Sequence, residues 1–229
     1  MSLLLTGCTT SSGSLGTGRG SQQPEALALL EVMPLSLGDP EGLLVRPGYS
    51  VREWARLGES PAIVARIIEK MDTTLLQAVA AGDPPDPVLL NRRIRQSLDV
   101  RQTGGDRLLA VSYTFPEAPE VALQMTELAF ETLQQFDLEQ ANRLLGQLLE
   151  SATTKADRFG ARIVELEGQI AAASQRLANT ETQQLTLLQL ELETTRELYA
   201  LQIREVNALA AEREILQTQL VVLAEPFTP

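Results

Sequence analysis

The distribution of proline constrains this chain more than any other feature. All twelve prolines lie at or before Pro119 or at and after Pro226, so residues 120–225 hold none. Only three glycines, Gly146, Gly160 and Gly168, fall in that window. Proline inside a helix costs about 3 kcal/mol, so a window this long without one permits very long helices. The apolar pattern agrees. Leu145, Leu149, Ala152, Ala156, Phe159, Ile163, Leu166, Ile170, Ala173 and Leu177 recur at alternating spacings of four and three. That is the stripe of a coiled-coil seam. The window therefore reads as a helical rod or hairpin built onto a compact, proline-containing base.

The length of 229 residues accommodates one or two domains. Aromatic residues make up only 4%, and the apolar content rests on Leu, Ala, Val and Ile. The formal charge is −11 and there is no histidine. A nucleic-acid partner needs a basic face, so this balance argues against one. The lack of histidine removes the commonest metal ligand and general base. No cofactor or metal is expected.

Cys8 is the single cysteine, so no intrachain disulfide is available. Leu5-Thr6-Gly7-Cys8 reads like the lipobox of a bacterial lipoprotein, in which a small residue precedes a lipid-modified cysteine. A signal peptide carries a positive end and about 7–15 apolar residues. Only five residues precede Thr6 here. Three readings stay open: a lipoprotein with a shortened leader, the outer end of a transmembrane helix, or chance in an unstructured terminus. No run of roughly 18 apolar residues occurs, so the chain as given contains no membrane span.

Residues 9–23 are rich in Ser, Thr and Gly and read as a flexible tether. Their glycines are followed by no lysine, which argues against a phosphate loop. Residues 26–34 form a candidate strand, and residues 43–45 a short apolar run among turn residues. Ser50 and Glu53 make a capping box for a helix that Gly58 ends. Ser60 followed by Pro61 opens a helix expected to run to about Ala81, with Gly82 ending it. Asp86 and Pro87 repeat the device for a helix through Leu98. Gly104 and Gly105 mark a turn into a strand over residues 108–115, with Leu109, Val111, Tyr113 and Phe115 on one face.

Pro119 and Glu120 then open the long helix, expected to reach about Ala178. Residues 179–182 are the expected tip. Residues 183–219 form the returning arm, with Leu188, Leu192, Tyr199, Val206, Leu209, Leu216 and Leu220 on its seam. Gln202 and Arg213 interrupt that seam, and leucines between 185 and 192 point in several directions. A helix apolar on several sides is usually enclosed by more than one neighbour, which hints at helices from other subunits. Residues 221–224 form a closing strand back into the base. The expected fold class is α+β, a small mixed α/β base (residues 24–118 and 220–229) with a long helical hairpin over residues 119–219.

Candidate chemistry is sparse. Acidic pairs such as Glu165/Glu167 and Glu191/Glu193 are two residues apart and do not face one another on a helix, so they read as solvated faces. Asp83 and Asp86 fit a turn with a helix cap better than a cation site. Trp54 and Tyr49 offer a sugar-stacking surface, although Trp54 at helical spacing from Leu57 fits a core. Arg92, Arg93 and Arg95 are a candidate contact for an acidic glycan, with exposed helix-end arginines as the plainer reading.

Three stretches together resemble the periplasmic domain of the Wzz-type chain-length determinants, also called polysaccharide co-polymerases. Residues 49–71, YSVREWARLGESPAIVARIIEKM, look like that family's aromatic-containing helix followed by a Ser-Pro-capped helix. Residues 98–136, with LLAVSYTFPEAPEVALQMTELAFETLQQF, look like its core strand and the proline-marked helix after it. Residues 198–229 look like its last helix, closing strand and proline-containing exit, where Pro226 and Pro229 match the segment beside the second membrane helix. The resemblance implies an α/β base near the inner membrane and a long helix projecting into the periplasm. It also implies ring-like homo-oligomers that influence the length or export of a polysaccharide made by a membrane polymerase. Two transmembrane helices normally flank the domain. Here LLLTGC stands where the first would be, so the anchor is either lipid on Cys8 or helices outside this stretch.

The sequence thus points to a non-enzymatic, membrane-anchored scaffold on the periplasmic side of a bacterial envelope. The alternative is a periplasmic adaptor of an efflux or secretion system, whose hairpins are normally flanked by lipoyl-like and barrel β-domains. A glycan-cleaving enzyme is a third reading, disfavoured by the scarcity of aromatic residues.

Overall fold

The structure is a computed structural model. It describes residues 25–33, 49–81, 86–175, 181–216 and 218–227. Cys8, the tether, the apolar run at 43–45, Asp83, Leu177, residues 179–180 of the expected tip and Pro229 lie outside the described residues.

Four strands make one antiparallel sheet in the order β2-β3-β1-β4. These are β1 (Glu25–Val32), β2 (Leu98–Gln102), β3 (Leu108–Thr114) and β4 (Leu220–Phe227). Strand β1 sits between the other two long strands because it is apolar on both faces. Ala26, Leu30 and Val32 are buried in the core cluster, with Leu27 and Leu29 half-buried behind them. The first strand in the chain therefore waits for the last before its second edge is paired. Gly104, at φ +56°, takes the left-handed position in the β2–β3 turn that a side chain would resist.

Short helices α1 (Val51–Gly58), α2 (Pro61–Lys70), α3 (Thr73–Ala80) and α4 (Pro87–Ser97) join the sheet to form the base. The capping box is present at α1: the Glu53 N–H donates to Ser50 Oγ, and the Ser50 N–H donates to Glu53 at 2.7 Å. That same bonding to Ser50 holds the Glu53 carboxyl below its usual range. Pro61 and Pro87 occupy first helical turns behind Ser60 and Asp86. Trp54, Ile63, Ile67, Ile94, Leu109 and Tyr113 fill the core between helices and sheet. Burial pushes the Tyr113 hydroxyl up to about 12, with a bond to Ser97 opposing the shift.

The structure departs from expectation in several places, among them the returning arm, whose helix starts at Glu181, inside the expected tip, and ends at Glu214 rather than 219. The helix expected from Ser60 to Ala81 is two. Met71 turns extended, and the Asp72 side chain accepts from the Leu75 N–H at 2.7 Å to start α3 afresh. Competition from an Asp cap outweighs continuation of the apolar stripe. The helix after Pro87 stops at Ser97 and becomes β2, where Leu98 and Val100 point inward. Finally, β4 spans eight residues rather than four and contains Pro226. Proline is tolerated there because β4 is an edge strand and needs no donor on its outer side.

The rod consists of α5 (Pro119–Gln175) and α6 (Glu181–Glu214). At 1.5 Å per residue these are about 86 Å and about 51 Å long. The first turns of α5 belong to the base: Val121, Ala122, Met125, Ala129 and Leu133 are buried in its core. Beyond them α5 leaves the sheet and pairs with α6.

Candidate functional site

The rod is attached to the base through polar side chains of α5 as well as through its apolar root. At the root, α5 presents three polar side chains to the base. The Thr126 hydroxyl donates to the Ala26 carbonyl at 3.3 Å. The Gln134 amide donates to the Leu220 carbonyl at 2.9 Å. Asp137, 1% exposed, accepts from the Gln219 N–H at 2.6 Å and from the Thr218 hydroxyl at 3.1 Å. The Gln219 side chain continues the chain of bonds to the Tyr49 carbonyl at 3.2 Å. These bonds fix the backbone where the returning arm becomes β4. A backbone N–H and a hydroxyl converging on one buried carboxyl oxygen tie the start of β4 to α5 at a single point.

Leu145, Ala152, Ala156 and Leu166 are buried on α5, and Leu149, Phe159, Ile163 and Ile170 are half-buried between them. On α6, Leu188, Leu192, Tyr199 and Val206 are half-buried and Leu209 is buried; Leu216, just past its end, is half-buried. The two arms close first around Leu145, Ala152 and Leu209, with Leu149, Val206 and Leu216 packed beside them. Gln202, the polar interruption expected in this stripe, lies on it, 9% exposed and hydrogen-bonded to Glu205. Thr195, also buried on the stripe, satisfies its hydroxyl on the Glu191 carbonyl at 2.7 Å. Thr195 is a polar residue at seam spacing, which a search for apolar repeats passes over. Arg213 reaches across the rod to Asn142 at 3.1 Å.

Ion pairs flank the seam on both sides. Arg162 meets Glu191 at 2.5 Å and Glu165 at 2.8 Å. Arg196 meets Glu167 at 2.6 Å. Bonds from Glu191 and then Glu165 hold the Arg162 guanidinium above its ordinary value. These pairs are solvated, and their use is to set the register of the two arms rather than to bind them tightly. The acidic pairs of the rod are therefore partly engaged across the hairpin.

The three base arginines do not act together. Arg93 turns inward and donates to the Ala80 carbonyl, and to the Val79 carbonyl at 3.4 Å, completing the end of α3. Arg92 and Arg95 instead border an open cleft of about 840 Å³ between α2 and α4, floored by Pro61, Ala65, Ile68 and Val88. Arg95 also donates to the Glu59 carbonyl at 3.1 Å. A second cleft of about 470 Å³ between α2 and α5 is bordered by Arg66 and Glu139, which are paired with each other, and by Glu69 and Lys70. Trp54 is in the core with Tyr49 edge-on to it at 5.1 Å, so it offers no stacking surface. Among the described residues no three His, Cys, Asp or Glu side chains gather as a metal set. Among them, no helix is long and apolar enough to cross a membrane. Pro226 lies within β4, near the end where Leu27 pairs with Phe227.

No family model matches the sequence. No curated protein matches it either. Solved structures do. The Shigella flexneri lipopolysaccharide O-antigen chain-length regulator WzzBSF aligns over 90% of this chain and 97% of its own, at 12% identity and a TM-score of 0.32. A full-length bacterial polysaccharide co-polymerase aligns over 91% of this chain and 77% of its own, at 10% identity and a TM-score of 0.31.

Proposed function

We propose that this chain is a non-enzymatic scaffold of the bacterial cell envelope that regulates the chain length or export of a surface polysaccharide. It acts as a homo-oligomer on the periplasmic side, beside a membrane-bound polymerase or export machine. Its anchor is a lipid on Cys8 or flanking transmembrane helices.

One observation carries the reading: the rod leaves and re-enters the same small sheet. Strand β3 leads into α5 through a short turn, and α6 returns within a few residues to β4. The Glu25, Thr114 and Phe227 ends of the strands lie together at one end of the sheet, since Glu25 pairs with Thr114 and Leu27 with Phe227. Leu220, where the returning arm enters, pairs with Val32 at the other end. An anchor at the first end therefore holds the base against a surface while the rod points away. That is the layout the resemblance in residues 49–71, 98–136 and 198–229 implies, and those stretches form α1–α2, β2–β3 with the root of α5, and α6–β4. Among the described residues the base has one antiparallel sheet and no β-domain of the kind that flanks adaptor hairpins. The work is geometric: repeated bases hold long helices at a fixed spacing, and Arg92 and Arg95 offer the cleft for passing glycan.

The test compares the size distribution of surface polysaccharide in cells with and without the chain. The expected result is a shifted or broadened distribution on removal, while purified chain leaves isolated polysaccharide unchanged in size. Shortening of that polysaccharide by the purified chain would overturn the proposal.

A further inference from the structure

The cleft between α2 and α4 is polarised along its length. The Asn91 amide donates to the Pro61 carbonyl at 3.3 Å, and Arg95 Nε donates to the Glu59 carbonyl at 3.1 Å. Going forward along α4 therefore means going back along α2. Arg92 and Arg95 stand at the end where α2 begins. Val88, a turn before Asn91, stands at the other end with Ala65 and Ile68.

The two ends differ in chemistry. At the first, Arg92 is exposed and has no hydrogen-bond or ion-pair partner among the described residues. The terminal nitrogens of Arg95 are equally unused among them, since only its Nε is bonded. At the second, Ala65, Ile68, Pro87 and Val88 offer aliphatic carbon, and Val88 is 75% exposed. The carboxylates also stand at this second end. Glu69 lines the cleft a turn beyond Ala65, and Asp86 accepts from the Val88 N–H at 2.9 Å as the cap of α4. An anionic group is therefore drawn to the first end and repelled from the second.

The volume of about 840 Å³ is that of a small-molecule site. From Arg95 to Val88 the cleft runs about 10 Å along α4. Sugar hydroxyls laid on its aliphatic end would exchange water for carbon and lose their hydrogen bonds. An aliphatic chain laid there gains up to about fourfold in affinity per methylene buried. We propose that this cleft binds an amphipathic anion, with a carboxylate or phosphate head on Arg92 and Arg95 and an aliphatic tail along Ile68 and Val88. The inference goes beyond the scaffold reading and does not rest on it. A passing glycan with no aliphatic group would meet only the arginine end.

Isothermal titration calorimetry on the full chain tests this with decanoate and decyl phosphate, each kept below its micellar concentration. Both carry the required head and tail, and binding by only one of them assigns the head. Hexanoate keeps the head and shortens the tail, so it should bind at least about tenfold more weakly than decanoate. Decyl glucoside keeps the tail without the charge and should also be weaker by at least about tenfold. Arg92→Gln should weaken decanoate by at least about tenfold, and Val88→Asp should weaken it comparably by setting a charge against the tail. Both positions are exposed, so unchanged helical circular dichroism is expected. Ala65→Glu, exposed on the facing helix, repeats the tail test if Val88→Asp disturbs α4. Absence of binding by either decyl probe overturns the proposal. So does equal binding of hexanoate and decanoate, or binding that survives all three substitutions. If trigalacturonate binds more tightly than decanoate and Val88→Asp leaves it unchanged, the occupant is an acidic glycan, and the tail is wrong while the scaffold reading stands.

Discussion

Asp137 is the residue on which the attachment of the rod can be tested with a single substitution. Its carboxylate is 1% exposed, and it accepts from the Gln219 N–H and the Thr218 hydroxyl where the returning arm becomes β4. Asp137→Ala removes the acceptor and leaves a buried backbone donor with no partner. Losing a partner for a buried donor costs about 1–3 kcal/mol, and bonds to a charged group sit at the upper end of that range. About 3 kcal/mol is therefore expected for the alanine variant, and less for Asp137→Asn, which keeps one acceptor oxygen. In a chain of this size each kcal/mol lowers Tm by about 2–4 °C, so the fall should be about 6–12 °C. Thermal unfolding followed by circular dichroism measures it. Hydrogen exchange adds location: protection should fall in β4 and the adjoining end of α6, while β2 and β3 keep theirs. A variant within about 0.5 kcal/mol of wild type, the range of neutral surface changes, would refute the claim that this carboxylate roots the rod.

Two further outcomes check the base. Gly58→Ala should destabilise by about 1–3 kcal/mol through overpacking. A Cβ there would lie 2.8 Å from both Val100 γ-carbons, against the strand that α1 covers, and urea unfolding reads the loss. Tyr113 should make stability fall in strong alkali. Its hydroxyl is raised from 10.0 to about 12 in the fold, so the stabilisation is fully present below pH 10 and is lost as pH rises through about 12. Linkage gives about 3 kcal/mol, and Tyr113→Phe should flatten that part of the pH–stability curve.

The rod was legible because helix physics writes it twice, once in the missing prolines and once in the seam. Leu145 to Ala173 are all buried or half-buried at the expected spacing. The caps at Ser50, Ser60 and Asp86 were legible for the same reason: a short side-chain acceptor, with proline or glutamate behind it, is a local signal. What escaped depends on distant partners. β2 is five residues with two inward positions, too short to separate from a helix end until β3 lies beside it. The break at Met71 needed Asp72 to be weighed as a cap against an apolar stripe running on. Thr195 escaped because seam positions were sought as apolar ones. Of the leucines in residues 185–192, Leu185, Leu188 and Leu192 are half-buried against the partner arm, while Leu187 and Leu190 stay exposed, a division that only the partner decides. Arg93 could not be told from Arg92 and Arg95, since its carbonyl partners belong to α3.

The central claim is that the rod works by its length, with its base fixed. The most direct measurement is the modal length of surface polysaccharide in cells carrying rods shortened between residues 166 and 192. Equal heptads are removed from each arm, so that the seam and the Asp137 root stay in register. The account predicts that modal length changes with each pair of heptads removed while the base remains folded. An unchanged glycan size distribution with a folded, shortened rod would contradict it.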